Sequence, residues 1–192
     1  MEDDRKFDPA RAERLNDPKR LELLVPEVMW SVAAVTAPHV IVDIGAGSGL
    51  VSVAFARLAP DATVYAADVS AEMLAYLVAH LPDDVRGRVF PILSEEARVP
   101  LGDGIADLVT MVTLYHELDD PAATLRDAHR LLAPDERLLV VDWTKEQTAS
   151  GPPVAHRVTG VEIATAVAAA GFEDVEMHEV LRGFSVVTAT RP

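Results

Sequence analysis

The chain contains no cysteine. Disulfides, thiolate metal sites and cysteine nucleophiles are therefore excluded from any account of its stability or chemistry. Uninterrupted apolar runs long enough to span a bilayer are also missing. The opening Met1-Glu2-Asp3-Asp4-Arg5-Lys6 is charged and lacks the apolar core of a signal peptide. These absences predict a cytoplasmic protein with no membrane partner. Basic residues are few, 17 Lys and Arg against 31 Asp and Glu, for a net charge of −14. Phosphate backbones are bound chiefly by neutralising cations, so nucleic acid is not expected as a partner. The densest basic stretches, Lys19-Arg20 and the stretch 86–88, lie among acids and read as solvated surface. Finally, no G-x-x-x-x-G-K-S/T run exists, which removes a phosphate-cradling loop of that class.

What is present is concentrated in one stretch. The apolar run Val40-Ile41-Val42-Asp43-Ile44 enters the turn Gly45-Ala46-Gly47-Ser48-Gly49 and reopens as an apolar helix over 50–59. A second apolar run ends at Asp68, 25 residues after Asp43. Strand, glycine turn, helix and acid-terminated strand form a unit that binds adenosine-containing cofactors at the carboxyl ends of its strands. Glycines permit a tight turn and close approach of ligand to backbone. Asp68 can accept from both ribose hydroxyls, and Asp43 places negative charge near any cationic ligand group. A dinucleotide fingerprint needs its third glycine three positions after the second. Here Leu50 occupies that position and the glycine falls at Gly49.

The rest of the chain alternates. Leu21, Leu24, Val28, Val32 and Val35 recur at helical spacing and predict one helix from about 19 to 36. Strands are expected at 39–44, 63–68, 88–93, 106–114 and 137–143, with helices at 49–59, 71–80, 121–132 and 162–170. Ser70 and the Asp120-Pro121 pair read as helix starts. A polar loop covers 144–159, and two last strands at 174–179 and 184–190 form a hairpin. At 192 residues this is one domain, an amino-terminal lid and helix over 1–36 and a core over 37–192. The pattern implies an α/β fold, a mostly parallel sheet with helices on both faces and one antiparallel strand.

The Asp-x-Gly-x-Gly-x-Gly run resembles the first motif of class I methyltransferases that use S-adenosylmethionine (SAM), and the resemblance extends over nearly the whole chain. It implies a Rossmann-like seven-stranded sheet whose last strand is reversed and slipped beside the fifth. It also implies that the chain releases S-adenosylhomocysteine (SAH). In that frame Gly45, Ala46, Gly47 and Gly49 shape the turn under the methionine moiety, with Asp43 supporting its amine. Asp68 and Val69 hold the ribose end, Glu95 meets the adenine amine, and the backbone near Glu96 meets a ring nitrogen. The run Tyr115-His116-Glu117-Leu118-Asp119-Asp120-Pro121 resembles the ubiquinone and menaquinone C-methyltransferases. Lys6-Phe7-Asp8-Pro9, Asn16-Asp17-Pro18 and Asp142-Trp143-Thr144-Lys145-Glu146, with Gly151-Pro152-Pro153, are similar to a group of small bacterial and archaeal SAM-dependent enzymes that specifies the cofactor but no acceptor. One departure is Asp135-Glu136, which replaces the family's glycine pair before the fifth strand.

Methyl transfer from a sulfonium needs mainly proximity and orientation, and a base only when the acceptor must lose a proton. His116, just past the fourth strand, is the expected catalytic residue, and His156 is a second candidate to line the pocket. Asp142 and Trp143 are expected to face the acceptor, and Phe7, Leu15 and Pro18 to anchor a lid. No metal site is expected, because no ligand spacing is recognisable. The resulting expectation is methyl transfer to a small-molecule acceptor by a monomer or homodimer. Two alternatives stand beside it: an NAD(P)-dependent oxidoreductase or epimerase, and a non-catalytic SAM-binding regulatory protein.

Overall fold

A computed structural model describes residues 12–148 and 150–192. The strand and helix alternation produces a seven-stranded sheet of order β3-β2-β1-β4-β5-β7-β6. Its members are β1 (Val40–Ile44), β2 (Thr63–Asp68), β3 (Val89–Leu93), β4 (Ala106–Val112), β5 (Leu132–Trp143), β6 (Glu173–His178) and β7 (Phe184–Thr190). Strands β1 to β5 pair in parallel. The closing hairpin puts β7 antiparallel between β5 and β6, as expected for a reversed last strand.

Alternation of side chains splits the core into two layers. Ile41, Leu108, Leu139 and Val186 face helices α3 (Pro26–Ala33) and α4 (Leu50–Leu58) through Met29 and Phe55. Their neighbours Val42, Val109, Val140 and Val187 face α6 (Pro121–Leu131) and α7 (Gly160–Ala169) through Leu125, Leu131, Ile163 and Val167. Both faces of the central strands are dry, which is why β1, β4 and much of β5 read as continuous apolar runs. Helix α5 (Ala71–His80) starts where Ser70 was expected to cap it: the Met73 N–H donates to Ser70 Oγ at 3.2 Å. The Asp120 carboxylate does the same for α6, accepting from the Ala123 N–H at 2.9 Å. Helix α7 begins two residues earlier than its apolar pattern suggested, because Thr159 and Glu162 form a reciprocal capping box.

Two expectations need correction. The single helix expected from about 19 to 36 is two pieces, α2 (Arg20–Leu24) and α3, with a separate short helix α1 (Ala12–Leu15) before them. Pro26 breaks the expected helix, since proline drives the preceding residue out of the helical region, and Val25 sits at φ 7°, ψ 92°. Strand β4 stops at Val112 rather than Leu114, because Thr113 turns into the left-handed region at φ 55°. The turn that lacks its glycine pair still uses a left-handed residue, with Asp135 at φ 65° and its N–H donating to Arg191 O at 2.7 Å. Asp tolerates that conformation better than most side chains. Phe7 and residues 1–11 lie outside the described residues. Among those described, no helix is long and apolar enough to cross a membrane.

Candidate active site

Chain order runs outward from β1 to β2 and β3, then returns to β4 on the other side of β1. At this reversal the loops at the strand carboxyl ends diverge and leave a crevice. A cleft with a cavity volume of about 150 Å³ sits there, lined from the ends of β1, β2, β3 and β4 and from the amino-terminal segment.

The glycine turn forms one wall. The N–H groups of Gly45 and Ala46 both donate to Ala67 O, at 2.8 and 3.0 Å, pinning the turn to β2. Gly45 has φ +71° and lies against Leu114: a Cβ there would be 2.5 Å from Leu114 Cδ1. Gly45, Ala46 and Gly47 all line the cleft. Gly49 does not. At φ +79° it starts α4 and lets Leu77 of α5 approach to 2.5 Å from where its Cβ would be. Its lack of a side chain brings the start of α4 and α5 together.

Asp43 and Asp68 both line the cleft. Asp43 is 2% exposed and accepts hydrogen bonds from Ser52 Oγ at 2.5 Å and Thr110 Oγ1 at 2.8 Å. Burial pushes its pKa up to about 6, against those two bonds, with the charge of Asp68 adding to the rise. Asp68 Oδ2 accepts the Gly47 N–H and Oδ1 the Ser70 N–H, each at 2.8 Å. Burial raises this pKa too, opposed by bonds from the Ser70, Gly47 and Val69 backbone. Asp68 therefore ties the glycine turn to the start of α5 and retains lone pairs on both oxygens for a ligand. Val69, half-exposed, lines the cleft beside it.

After β3, Glu95 and Arg98 bridge through both backbone groups, at 3.0 and 3.2 Å. Glu96 and Ala97 turn between the bridging residues, which puts Ser94 and Glu96 in the cleft lining and leaves Glu95 exposed and outside it. The structure thus places the Glu95 side chain, the expected adenine contact, outside the cleft lining. Glu96 occupies that wall, its Oε1 accepting the Asp119 N–H at 2.6 Å.

The expected catalytic residue sits behind the cleft wall. His116 is absent from the lining, with only 4% of its side chain exposed. Its Nδ1 lies 2.7 Å from Asp142 Oδ1, and its N–H donates to Asp142 Oδ2 at 3.1 Å. The short 3₁₀ turn Tyr115–Glu117 carries it away from the cleft, and the adjacent Glu117 lines the cleft instead. Glu117 Oε1 is 3.6 Å from His116 Nε2. Burial alone would depress the pKa of His116. The bond and charge of Asp142, with Glu117, more than reverse this and raise it, Arg157 opposing.

Asp142, Trp143 and His156 are likewise not in the lining. Trp143 packs on Phe184, ring centroids 4.4 Å apart, with the Arg157 guanidinium 5.4 Å from its own centroid. Arg157 is buried and donates to the carbonyls of Thr144, Glu146, Ser150 and Pro152, which gathers the loop after β5. Sequence reasoning did not single it out.

Of the expected lid anchors, Leu15 lines the cleft and Pro18 does not. The residue missed there is Arg20 in α2, which lines the cleft and donates to Leu15 O at 2.8 Å and Thr113 Oγ1 at 3.2 Å. Its place inside an acid-flanked polar segment gave no signal, since its partner lies in another element 93 residues away.

Residues 42–140 match the model of a methyltransferase domain. A crystal structure of a SAM-dependent methyltransferase from Aquifex aeolicus superposes with a TM-score of 0.89 and 30% identity, covering 97% of this chain and 100% of that one. Among curated proteins, a demethylmenaquinone methyltransferase of Thermus thermophilus is 32% identical over 108 residues, covering 56% of this chain and 48% of the relative. A malonyl-[acyl-carrier protein] O-methyltransferase of Hahella chejuensis is 30% identical over 115 residues, 60% of this chain and 40% of the relative. The chain thus spans less than half the length of these two curated relatives.

Proposed function

Because the chain belongs to the family of SAM-dependent methyltransferase domains, we propose that it moves the methyl group of SAM to a small-molecule acceptor and releases SAH. The observation that carries this reading is the charge of the cleft. Asp43, Asp68, Glu96 and Glu117 line it, against Arg20 as the one cation among the described lining residues. A pyrophosphate-bearing dinucleotide would meet four carboxylates. A ligand with a sulfonium and an ammonium meets complementary charge. The glycine wall and the spare lone pairs of Asp68 suit the adenosine end of the same ligand.

When bound, SAM supplies an already activated methyl group. The chain's own residues then bind, orient and exclude water. Asp68 holds the ribose hydroxyls, and Gly45 to Gly47 let the ligand lie against backbone. Leu15, Leu114 and Leu118 line an apolar part of the cleft. Glu117 is the acidic group facing the acceptor, and His116 acts through it by fixing the 3₁₀ turn to Asp142. A net charge of −14 supports a small acceptor over nucleic acid.

Titration calorimetry with SAM, SAH and NAD tests the cofactor. Saturable binding of SAM and SAH at one site per chain is expected, and saturable NAD binding with no response to SAM or SAH would overturn the reading. Incubating the protein with methyl-labelled SAM in a small-molecule extract, followed by mass spectrometry, identifies the acceptor. SAM binding without transfer to any compound would replace the enzyme reading with a regulatory one.

A further inference from the structure

We propose that Arg20 is a carboxylate-binding residue of the cleft, receiving a carboxylate carried either by the methionine end of the cofactor or by the acceptor. This inference rests on the methyltransferase reading above and adds a recognition element contributed by the amino-terminal segment.

Three observations carry it. First, the guanidinium of Arg20 lines a cleft whose other charged lining residues are all acidic, among the described residues. Second, its orientation is fixed by two groups of the cleft wall itself, Leu15 and Thr113. Nη1 donates to Leu15 O at 2.8 Å and Nη2 to Thr113 Oγ1 at 3.2 Å, which uses two of the five N–H donors of the planar fork. Both of those partners are neutral acceptors, a carbonyl and a hydroxyl. Third, the hydroxyl that holds it belongs to a residue in a costly conformation. Thr113 is β-branched and sits at φ 55°, its N–H donating to Val141 O at 2.7 Å. A β-branched residue in the left-handed region is an outlier, and such strain collects at ligand sites.

Asp17 and Glu117 lie close enough to support the charge of Arg20, while burial works against it. A half-buried cation positioned this way is suited to a planar anion taken by two parallel N–H groups. A carboxylate fits better than a phosphate, because a dianion would be repelled by the four carboxylates that share the cleft.

The test uses the full chain and three probes: SAH, 5′-methylthioadenosine, which lacks the amino-acid end, and benzoate added to SAH-saturated protein. If the carboxylate is the cofactor's, Arg20→Ala weakens SAH by about 10- to 100-fold and leaves methylthioadenosine within about twofold. Arg20→Lys, which keeps the charge without the fork, recovers only part of the loss. If it is the acceptor's, both nucleosides bind Arg20→Ala normally and saturable benzoate binding to SAH-loaded wild type is lost. Equal weakening of SAH and methylthioadenosine, or no change with any probe, overturns the inference and leaves the methyltransferase reading intact. Wild-type protein that binds neither nucleoside overturns both. Melting temperatures of the variants within a few degrees of wild type establish that each is folded.

Discussion

His116 and Asp142 are joined twice, by the imidazole Nδ1 at 2.7 Å and by the His116 N–H at 3.1 Å, to the two oxygens of one buried carboxylate. Asp142 also accepts the N–H of Trp143 at 2.7 Å. The end of β5 is thereby stitched to the turn that follows β4, and that turn delivers Leu114 and Glu117 to the cleft. His116 is thus a strut behind two residues of the cleft wall.

Removing the strut has a pH signature. The folded-state pKa of His116 is raised above its ordinary value of about 6.5. A raised histidine pKa contributes stability that is complete below the unfolded-state value and is lost as pH rises through the folded-state value. His116→Gln is expected to lower the melting temperature most near pH 6 and progressively less towards pH 9. A melting difference that is flat with pH would remove the charged pair from the account.

Asp142→Ala leaves the His116 imidazole and the backbone N–H groups of His116 and Trp143 without their buried acceptor. Loss of a buried charge partner costs about 3–5 kcal/mol. Asp142→Asn keeps one acceptor oxygen and is expected to cost about 1–3 kcal/mol. Denaturant unfolding of the two variants measures both, and equal costs would mean the charge of Asp142 contributes nothing.

Asp43, with its pKa pushed up to about 6, links ligand binding to protons. In the unliganded protein the raised value favours the neutral carboxyl, so its contribution to stability is present below about pH 4 and is lost as pH rises through about 6. A cationic ligand reverses the preference. SAM should bind more tightly as pH rises across about 5 to 7, with protons released on binding, and 5′-methylthioadenosine should show a much shallower slope. Calorimetry in buffers of different ionisation enthalpy counts those protons. In Asp43→Asn both ligands should respond alike to pH.

Asp68→Ala should weaken SAM and SAH by tenfold to a few hundredfold, since each hydrogen bond to a charged group is worth roughly 1.5–3 kcal/mol. The structure adds a second cost. Asp68 also holds the Gly47 and Ser70 N–H groups, so the variant should lose thermal stability as well as affinity. Asp68→Asn can still accept one of those bonds and should be milder on both counts. Unchanged affinity in a folded Asp68→Ala protein would put the ribose elsewhere.

Gly45→Ala carries two penalties, a side chain at φ +71° and a Cβ 2.5 Å from Leu114 Cδ1. A residue forced to hold a sparsely populated conformation costs of order 1–3 kcal/mol before the clash is added. The variant should lose both stability and SAM affinity. Combining it with Leu114→Ala relieves the clash but not the backbone strain, so recovery of stability should be partial. Full recovery would show that contact alone enforces glycine at this position.

The sequence by itself determined what depends on local pattern. Apolar runs ending in Asp43 and Asp68, the glycine turn between them, the Ser70 and Asp120 caps and the closing hairpin each draw on neighbours a few residues away. Periodicity and turn chemistry encode such neighbours directly. Tertiary structure decided whatever depends on which side of a loop faces inward or on a partner from a distant element. It turned Glu95 out and Glu96 in, because the bridge between Glu95 and Arg98 closes a turn that carries Glu96 to the cleft wall. It committed His116 to Asp142 across 26 residues and brought Arg20 to Thr113 across 93. Those pairs form only when the sheet order sets the ends of β4 and β5 side by side and the amino-terminal segment at the mouth of the cleft. No local preference of histidine or arginine specifies that meeting, so only the folded chain reveals it.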